Sequence, residues 1–205
     1  MPSIAPPAHT RRLTTTDDWI TPKWIIDRLG PFTLDPCASD SQPWPCAMAH
    51  FTKAVDGLSQ KWFGEVWLNP PYGRETTRWL AKLAQHGFGT ALIFARTETK
   101  MFFDHVWPKA SALMFLQGRL VFCRPDGTPA EHNSGGPSVL IAYGDVSARR
   151  LQAIQDMGAF VSLSPPKADK PRVRYLLLNV PKAISETLSR AVWGRTRSAA
   201  GWGRG

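Results

Sequence analysis

Short, unbroken apolar runs alternate along the chain with stretches in which apolar residues recur every three or four positions. The runs are Phe32-Thr33-Leu34, Glu65-Val66-Trp67-Leu68, Thr90-Ala91-Leu92-Ile93-Phe94-Ala95, Ala112 to Leu116 and Ser138 to Tyr143. Their length and their β-branched and aromatic content predict strands. The run at 90–95 carries no charge, as in a strand covered on both faces. The periodic stretches predict helices over 22–29, about 75–85, 100–107 and 147–157. Their inward residues are expected to be Trp24, Ile25 and Leu29; Trp79, Leu80 and Leu83; Phe102 and Phe103; Leu151 and Ile154. Thr21 suits the N-cap of the first helix, Pro22 its first turn, and Gly30 its end. Ser41 to Met48 reads as a polar, proline-rich loop, and Phe51-Thr52-Lys53 as a short strand. Gly118 to Phe122 reads as one arm of a hairpin, 125–137 as a long loop, and 158–163 as a further strand.

Strand and helix thus alternate, which predicts an α/β fold: a doubly wound, mostly parallel sheet with helices on both faces. Ligands of such sheets sit outside the carboxyl ends of the strands. Asp35, Asn69 and Arg96 all fall at strand exits.

A chain of 205 residues with 43% hydrophobic content fits one domain. The expected division is a flexible arm over 1–16, a folded domain over 17–165 and a basic extension over 166–205. The arm is rich in Pro, Ser, Thr and Ala and carries Arg11-Arg12. From Lys167 onward nine Lys or Arg face only Asp169 and Glu186. The net charge of +9 favours a polyanionic partner, nucleic acid first, and the extension would neutralise phosphates without reading bases. No apolar run is long enough to cross a membrane, and residues 1–10 hold no apolar signal core, so a cytoplasmic protein is expected. Three cysteines argue against a disulfide framework. Cys37, Cys46 and His50 match no zinc spacing, so no metal is expected. The residues carry no signal for an oligomeric state.

The candidate chemistry centres on Asn69-Pro70-Pro71-Tyr72, which follows a buried strand. Pro70 and Pro71 stiffen the turn, since each fixes φ and Pro71 also restricts Pro70. A stiff turn can hold the Asn69 side chain and the Pro70 carbonyl at set positions and project Tyr72. Two acceptors and an aromatic face suit an exocyclic amine on a flat base. Acceptors on both N–H bonds draw the lone pair back onto nitrogen, and the ring stacks on a base that has left its helix. Asp35 after the first strand could accept from an ammonium, or be a turn residue. Asp56-Gly57 could accept from an adenine amine, or be a simple turn.

The tetrad resembles the catalytic motif of S-adenosylmethionine-dependent amino-methyltransferases, which act on adenine N6, cytosine N4 or a glutamine amide. The wider series is more specific. Trp19-x-Thr-Pro, Leu34-Asp-Pro-Cys-Ala-Ser, Asp56-Gly-Leu, Trp67-Leu-Asn-Pro-Pro-Tyr-Gly, Phe94-Ala-Arg-Thr-Glu-Thr, Gly118-Arg-Leu-x-Phe and Pro137-Ser-Val-Leu-Ile-Ala follow in order. This series, over 17 to about 144, is similar to the phage-type, Dam-like DNA N6-adenine methyltransferases. The resemblance implies a Rossmann-like fold that moves a methyl group from S-adenosylmethionine to adenine N6 in double-stranded DNA by base flipping. It implies that Thr21 and Pro22 receive the methionine carboxylate, that Asp35, Pro36 and Cys37 take the ammonium end, and that Asp56 and Leu58 meet the cofactor adenine. Asn69, Pro70, Pro71 and Tyr72 would hold the target base, with Asn69 also next to the cofactor. Ala38 and Ser39 stand where the usual cofactor loop has glycines. Asp40 is the candidate for the cofactor ribose, and Arg96 and Glu98 are expected at the site mouth, with Arg96 near DNA phosphate or cofactor. Competing readings are a methyltransferase for cytosine N4, RNA or a protein glutamine, and a catalytically silent nucleic-acid-binding relative.

Overall fold

A computed structural model describes residues 19–163; the arm over 1–16 and the extension over 166–205 lie outside the described residues. Seven strands and four α-helices follow one another: α1 Lys23–Leu29, β1 Phe32–Asp35, β2 Ala47–His50, β3 Val66–Leu68, α2 Thr76–His86, β4 Gly89–Phe94, α3 Lys100–His105, β5 Ala112–Leu116, β6 Ser138–Tyr143, α4 Asp145–Ala153 and β7 Gly158–Ser162. The strands form one sheet in the order β2-β1-β3-β4-β6-β5-β7. The β1–β2, β1–β3 and β3–β4 pairings are parallel, whereas β4–β6, β5–β6 and β5–β7 are antiparallel. The first five strands therefore run one way and the last two the other, so the sheet is mixed and only half its pairings are parallel.

The side-chain period of two divides the strands between two cores. Val66 and Leu68, Ala91 and Ile93, and Val139 and Ile141 pack with Trp79, Leu80, Leu83 and Phe102 of α2 and α3. Trp67, Leu92, Leu140 and Ala142 pack on the other face with Ile25, Ile26 and Leu29 of α1 and Leu151 of α4. Helices thus cover both faces. Glu65, buried just before β3, fastens the second layer: Arg150 of α4 pairs with it at 3.1 Å, and the Ser147 hydroxyl donates to it at 2.9 Å. The same guanidinium donates to the carbonyls of Leu29 and Pro31, joining α4 to the end of α1.

Several local expectations are corrected. The first helix begins at Lys23, with Pro22 at its N-cap position and no side-chain cap. Its inward stripe is Ile25, Ile26 and Leu29, while Trp24 is 49% exposed. At 3.6 residues per turn Trp24 lies about 150° from the mean direction of that stripe. Phe103 is likewise turned outward, at 62% exposure, while Phe102 is buried. The proline-rich stretch before His50 ends in an edge strand, β2, half of whose residues face outward. Phe51 ends this strand: its N–H donates to the Asp35 carbonyl, and its carbonyl accepts from Ala38. A 3-10 turn over Lys53–Val55 follows in place of the strand expected at 51–53. Gly118 to Phe122 forms no regular strand. The excursion between β5 and β6 is instead pinned by Cys123, whose backbone exchanges two 2.9 Å hydrogen bonds with Ile20.

From β1 the chain steps outward to β2, then returns past β1 to β3. The order reverses between β1 and β3, and their carboxyl ends open a crevice at that point.

Candidate functional site

A cavity of about 330 Å³ occupies this crevice. Its walls come from three stretches far apart in sequence: Trp19 to Thr21, Asp35 to Ser39 with Gln42, and Trp67 to Tyr72. Thr52, Lys53, Asp56, Gly57 and Trp79 complete it. The volume lies in the range of small-molecule sites.

Asn69 is held at both ends. Its Nδ2 donates to the Trp19 carbonyl at 2.8 Å, and its backbone carbonyl accepts from the Cys37 thiol at 3.2 Å. The first bond fixes which way the amide points. Its Oδ1 is left buried and without a partner among the described residues. Thr76 closes the turn beyond it: its hydroxyl donates to the Pro71 carbonyl at 2.7 Å and accepts from the Gly73 N–H at 3.1 Å. The Tyr72 ring lies 4.4 Å from Phe94 and 5.9 Å from Phe122, centroid to centroid. Its hydroxyl is buried with no partner among the described residues, and burial raises its pKa.

Asp35 is 5% exposed. Burial pushes its carboxyl up to about 7, against the opposing effect of hydrogen bonds from the Cys37 N–H and the Gln42 side chain. Burial and the neighbouring Asp35 also hold the Cys37 thiol well above its usual range, so it is a hydrogen-bond donor here and not a nucleophile.

Thr21 and Trp67, which also line the cavity, carry a buried hydroxyl and a buried indole N–H; neither has a partner among the described residues. Of the seven such buried polar atoms among the described residues, four belong to residues lining this one cavity. A polar atom buried without a partner costs about 1–3 kcal/mol, so the residues around this cavity carry a concentrated local cost.

The turn at Asp56-Gly57 adjoins the exit of β1 in the cavity wall. Asp56 takes a left-handed conformation with φ 49°, and its carboxylate accepts from the Leu58 N–H at 3.3 Å. Gly57 presses so closely on β1's exit that a Cβ there would lie 1.9 Å from the Pro36 carbonyl oxygen. Only glycine allows that approach. Lys82 of α2 clamps the turn, donating to the carbonyls of Gly57, Leu58 and Gln60 at 3.4, 2.5 and 2.6 Å. Its ammonium also lies 5.1 Å from the centre of the Trp62 ring, which stacks on Trp79 of the cavity wall.

Thr21, Asp35, Pro36, Cys37, Asp56, Asn69, Pro70, Pro71 and Tyr72 therefore meet around one space. Pro22 is buried but outside the lining, and Leu58 packs against the core beneath the turn. Asp40 is exposed and does not line the cavity. Arg96 and Glu98 are exposed on the exit of β4, beyond the lining. Among the described residues no three His, Cys, Asp or Glu are grouped to hold a metal ion, and no helix is long and apolar enough to cross a membrane. Gln42, Thr52 and Trp79 escaped sequence reasoning. Gln42 lies in a stretch that reads only as loop, whereas Trp79 belongs to the inner face of α2, whose end touches the cavity.

A family model described as DNA N-6-adenine-methyltransferase (Dam) matches residues 8–158. No curated protein and no solved structure matches the chain.

Proposed function

The chain belongs to the DNA N-6-adenine-methyltransferase (Dam) family, and on that footing we propose that it transfers a methyl group from S-adenosylmethionine to adenine N6 in double-stranded DNA. The target base would be turned out of the duplex into the cavity. The observation that carries this reading is Asn69: its Nδ2 is committed to Trp19, which fixes the amide, and its Oδ1 is buried without a partner among the described residues. Such an oxygen accepts an amine N–H and nothing that lacks a donor.

The cavity suits the cofactor by its chemistry. Asp35 is a buried carboxylate lacking a cation among the described residues, as an ammonium requires. The Thr21 hydroxyl, on a residue that lines the same cavity, would donate to the methionine carboxylate. Asp56, which also lines the cavity, would accept from the cofactor's adenine amine. The strand order, reversing at this crevice, supports a Rossmann-like reading of the sheet. When bound, the cofactor supplies an electrophilic methyl group on a positively charged sulfur.

The chain's own work is then placement. Asn69 Oδ1 and the Pro70 carbonyl would take the two amine protons and return the nitrogen lone pair from the ring. Tyr72, backed by Phe94, would stack against the base. No general base is required, because the amine proton becomes acidic once the methyl group has arrived, and water can remove it. The contribution is orientation and an acceptor shell in a partly dry site.

Asn69→Ala tests the reading. Methyl transfer to DNA should vanish while cofactor affinity, by calorimetry, stays within a few-fold. A variant that keeps wild-type turnover would show that the motif has been misassigned.

A further inference from the structure

Beyond the carboxyl ends of β3, β4 and β5, three strands that run in the same direction, the chain carries an arginine six, two and three residues on; none of the three lines the cavity itself. Arg74 follows Tyr72 by two residues, Arg96 follows Phe94 by two, and Arg119 follows Leu116 by three. All three are exposed. None has an ion pair or a side-chain hydrogen bond with another described residue. Several other surface cations are paired: Lys23 holds Asp27, Arg28 holds Asp156, Arg78 holds Glu75, and Lys100 holds Asp104.

Arg119 is tied to the site by packing. A Cβ on Gly136 would meet the Phe94 ring at 3.4 Å and Arg119 Nη1 at 3.8 Å. Its guanidinium and the ring that backs Tyr72 therefore flank the same glycine. In the strand order β3 and β4 are neighbours, and β6 separates β4 from β5. At ~4.8 Å per step the three exits span roughly 14 Å. One DNA strand rises ~3.4 Å along the helix axis per phosphate, so a row of this length laid along the axis spans about four phosphates.

We propose that Arg74, Arg96 and Arg119 form a phosphate-binding rim that seats one strand of the duplex across the cavity mouth. The inference rests on the DNA reading of the cavity and adds the face on which DNA lies. A row of three charges, unpaired among the described residues, along this edge of the sheet grips the backbone flanking the target nucleotide while its base is withdrawn. Guanidiniums suit the task, since each can fork two N–H bonds onto phosphate oxygens. Glu98, two residues after Arg96, would repel a phosphate.

The test is fluorescence anisotropy of a labelled duplex with the full chain across a salt series. Each released phosphate contact lowers the slope of log K against log salt by about 0.9. The triple variant Arg74→Gln, Arg96→Gln, Arg119→Gln should therefore lose between two and three from the wild-type slope. Lys61 and Lys109 are exposed but precede β3 and β5, at the opposite edge. Lys61→Gln with Lys109→Gln should leave the slope unchanged, and Glu98→Gln should tighten binding. A triple variant with the wild-type slope, a control pair that loses as much as the triple, or a wild type that binds no duplex would each overturn the rim. Calorimetry with S-adenosylmethionine on the same proteins separates this from the methyltransferase reading. The rim predicts unchanged cofactor affinity in the triple variant. A wild type that binds duplex through these arginines yet no cofactor would retain the rim and refute the enzyme.

Discussion

Replacing Asp35 with asparagine should make the free protein more stable and its grip on the cofactor weaker. Asp35 titrates near 3.8 in an unstructured chain and is pushed up to about 7 in the fold by burial. Between those values the folded state binds more protons than the unfolded one, so stability falls as pH rises through this window. At about 1.36 kcal/mol per pH unit the full gap is worth ~4 kcal/mol, reached only above pH 7. The amide would keep the size of the side chain and an oxygen for the Cys37 N–H, and would carry no charge to bury. At pH 8 the Asp35→Asn protein should gain up to that amount. For a domain of this size ~1 kcal/mol corresponds to roughly 2–4 °C in melting temperature. At pH 4 the gain should be gone. Cofactor binding should move the other way. Losing a hydrogen bond to a charged group costs about 1.5–3 kcal/mol, a weakening of roughly 10- to 150-fold at pH 8. Wild-type affinity should itself rise with pH through about 7 and then level, since the carboxyl must lose its proton to meet a cation. The assays are melting curves at pH 4 and 8 and calorimetry on either side of pH 7. A variant that melts below wild type at pH 8, or binds cofactor as well as wild type there, would refute the reasoning.

Three further outcomes are expected. Tyr72→Ala should cost one to two powers of ten in kcat/KM for DNA and Tyr72→Phe little, because the hydroxyl has no partner among the described residues and stacking is worth about 1–3 kcal/mol per base; equal losses in steady-state assays would refute a stacking role. Lys82→Met should free the Gly57 to Gln60 turn and raise the cofactor KM by about tenfold, ~1.4 kcal/mol, with kcat at saturation nearly kept. A fall in kcat at constant KM would show that the turn does not wall the cofactor. Arg150→Met should leave Glu65 buried without its cation and cost ~3 kcal/mol in denaturant unfolding, with cofactor affinity unchanged.

What could be read from the residues follows the range of the forces involved. The strands at 89–94 and 138–143 were legible because an unbroken apolar run has few other uses. Helix α2 was legible because Trp79, Leu80 and Leu83 recur at helical spacing. Trp24 misled because hydrophobicity alone does not set the phase of a seven-residue helix. β2 was hidden because an edge strand beside prolines needs no apolar pattern; its ladder to β1 stabilises it. The resemblance assembled Thr21, Asp35, Asp56 and the Asn69 turn from distant stretches, and all four line the cavity. It did not reveal the Trp19 carbonyl that orients Asn69, the contact of Gly57 with Pro36, or the Gln42 bond to Asp35. Each of these joins residues whose nearness depends on the finished fold.

The central claim is that this cavity methylates adenine at N6. The direct measurement is mass spectrometry of nucleosides digested from duplex DNA after incubation with the full chain and isotope-labelled S-adenosylmethionine. Label should appear on N6-methyladenine, and Asn69→Ala should abolish it. Label on N4-methylcytosine, or only on RNA or protein offered in the same reaction, would contradict the account.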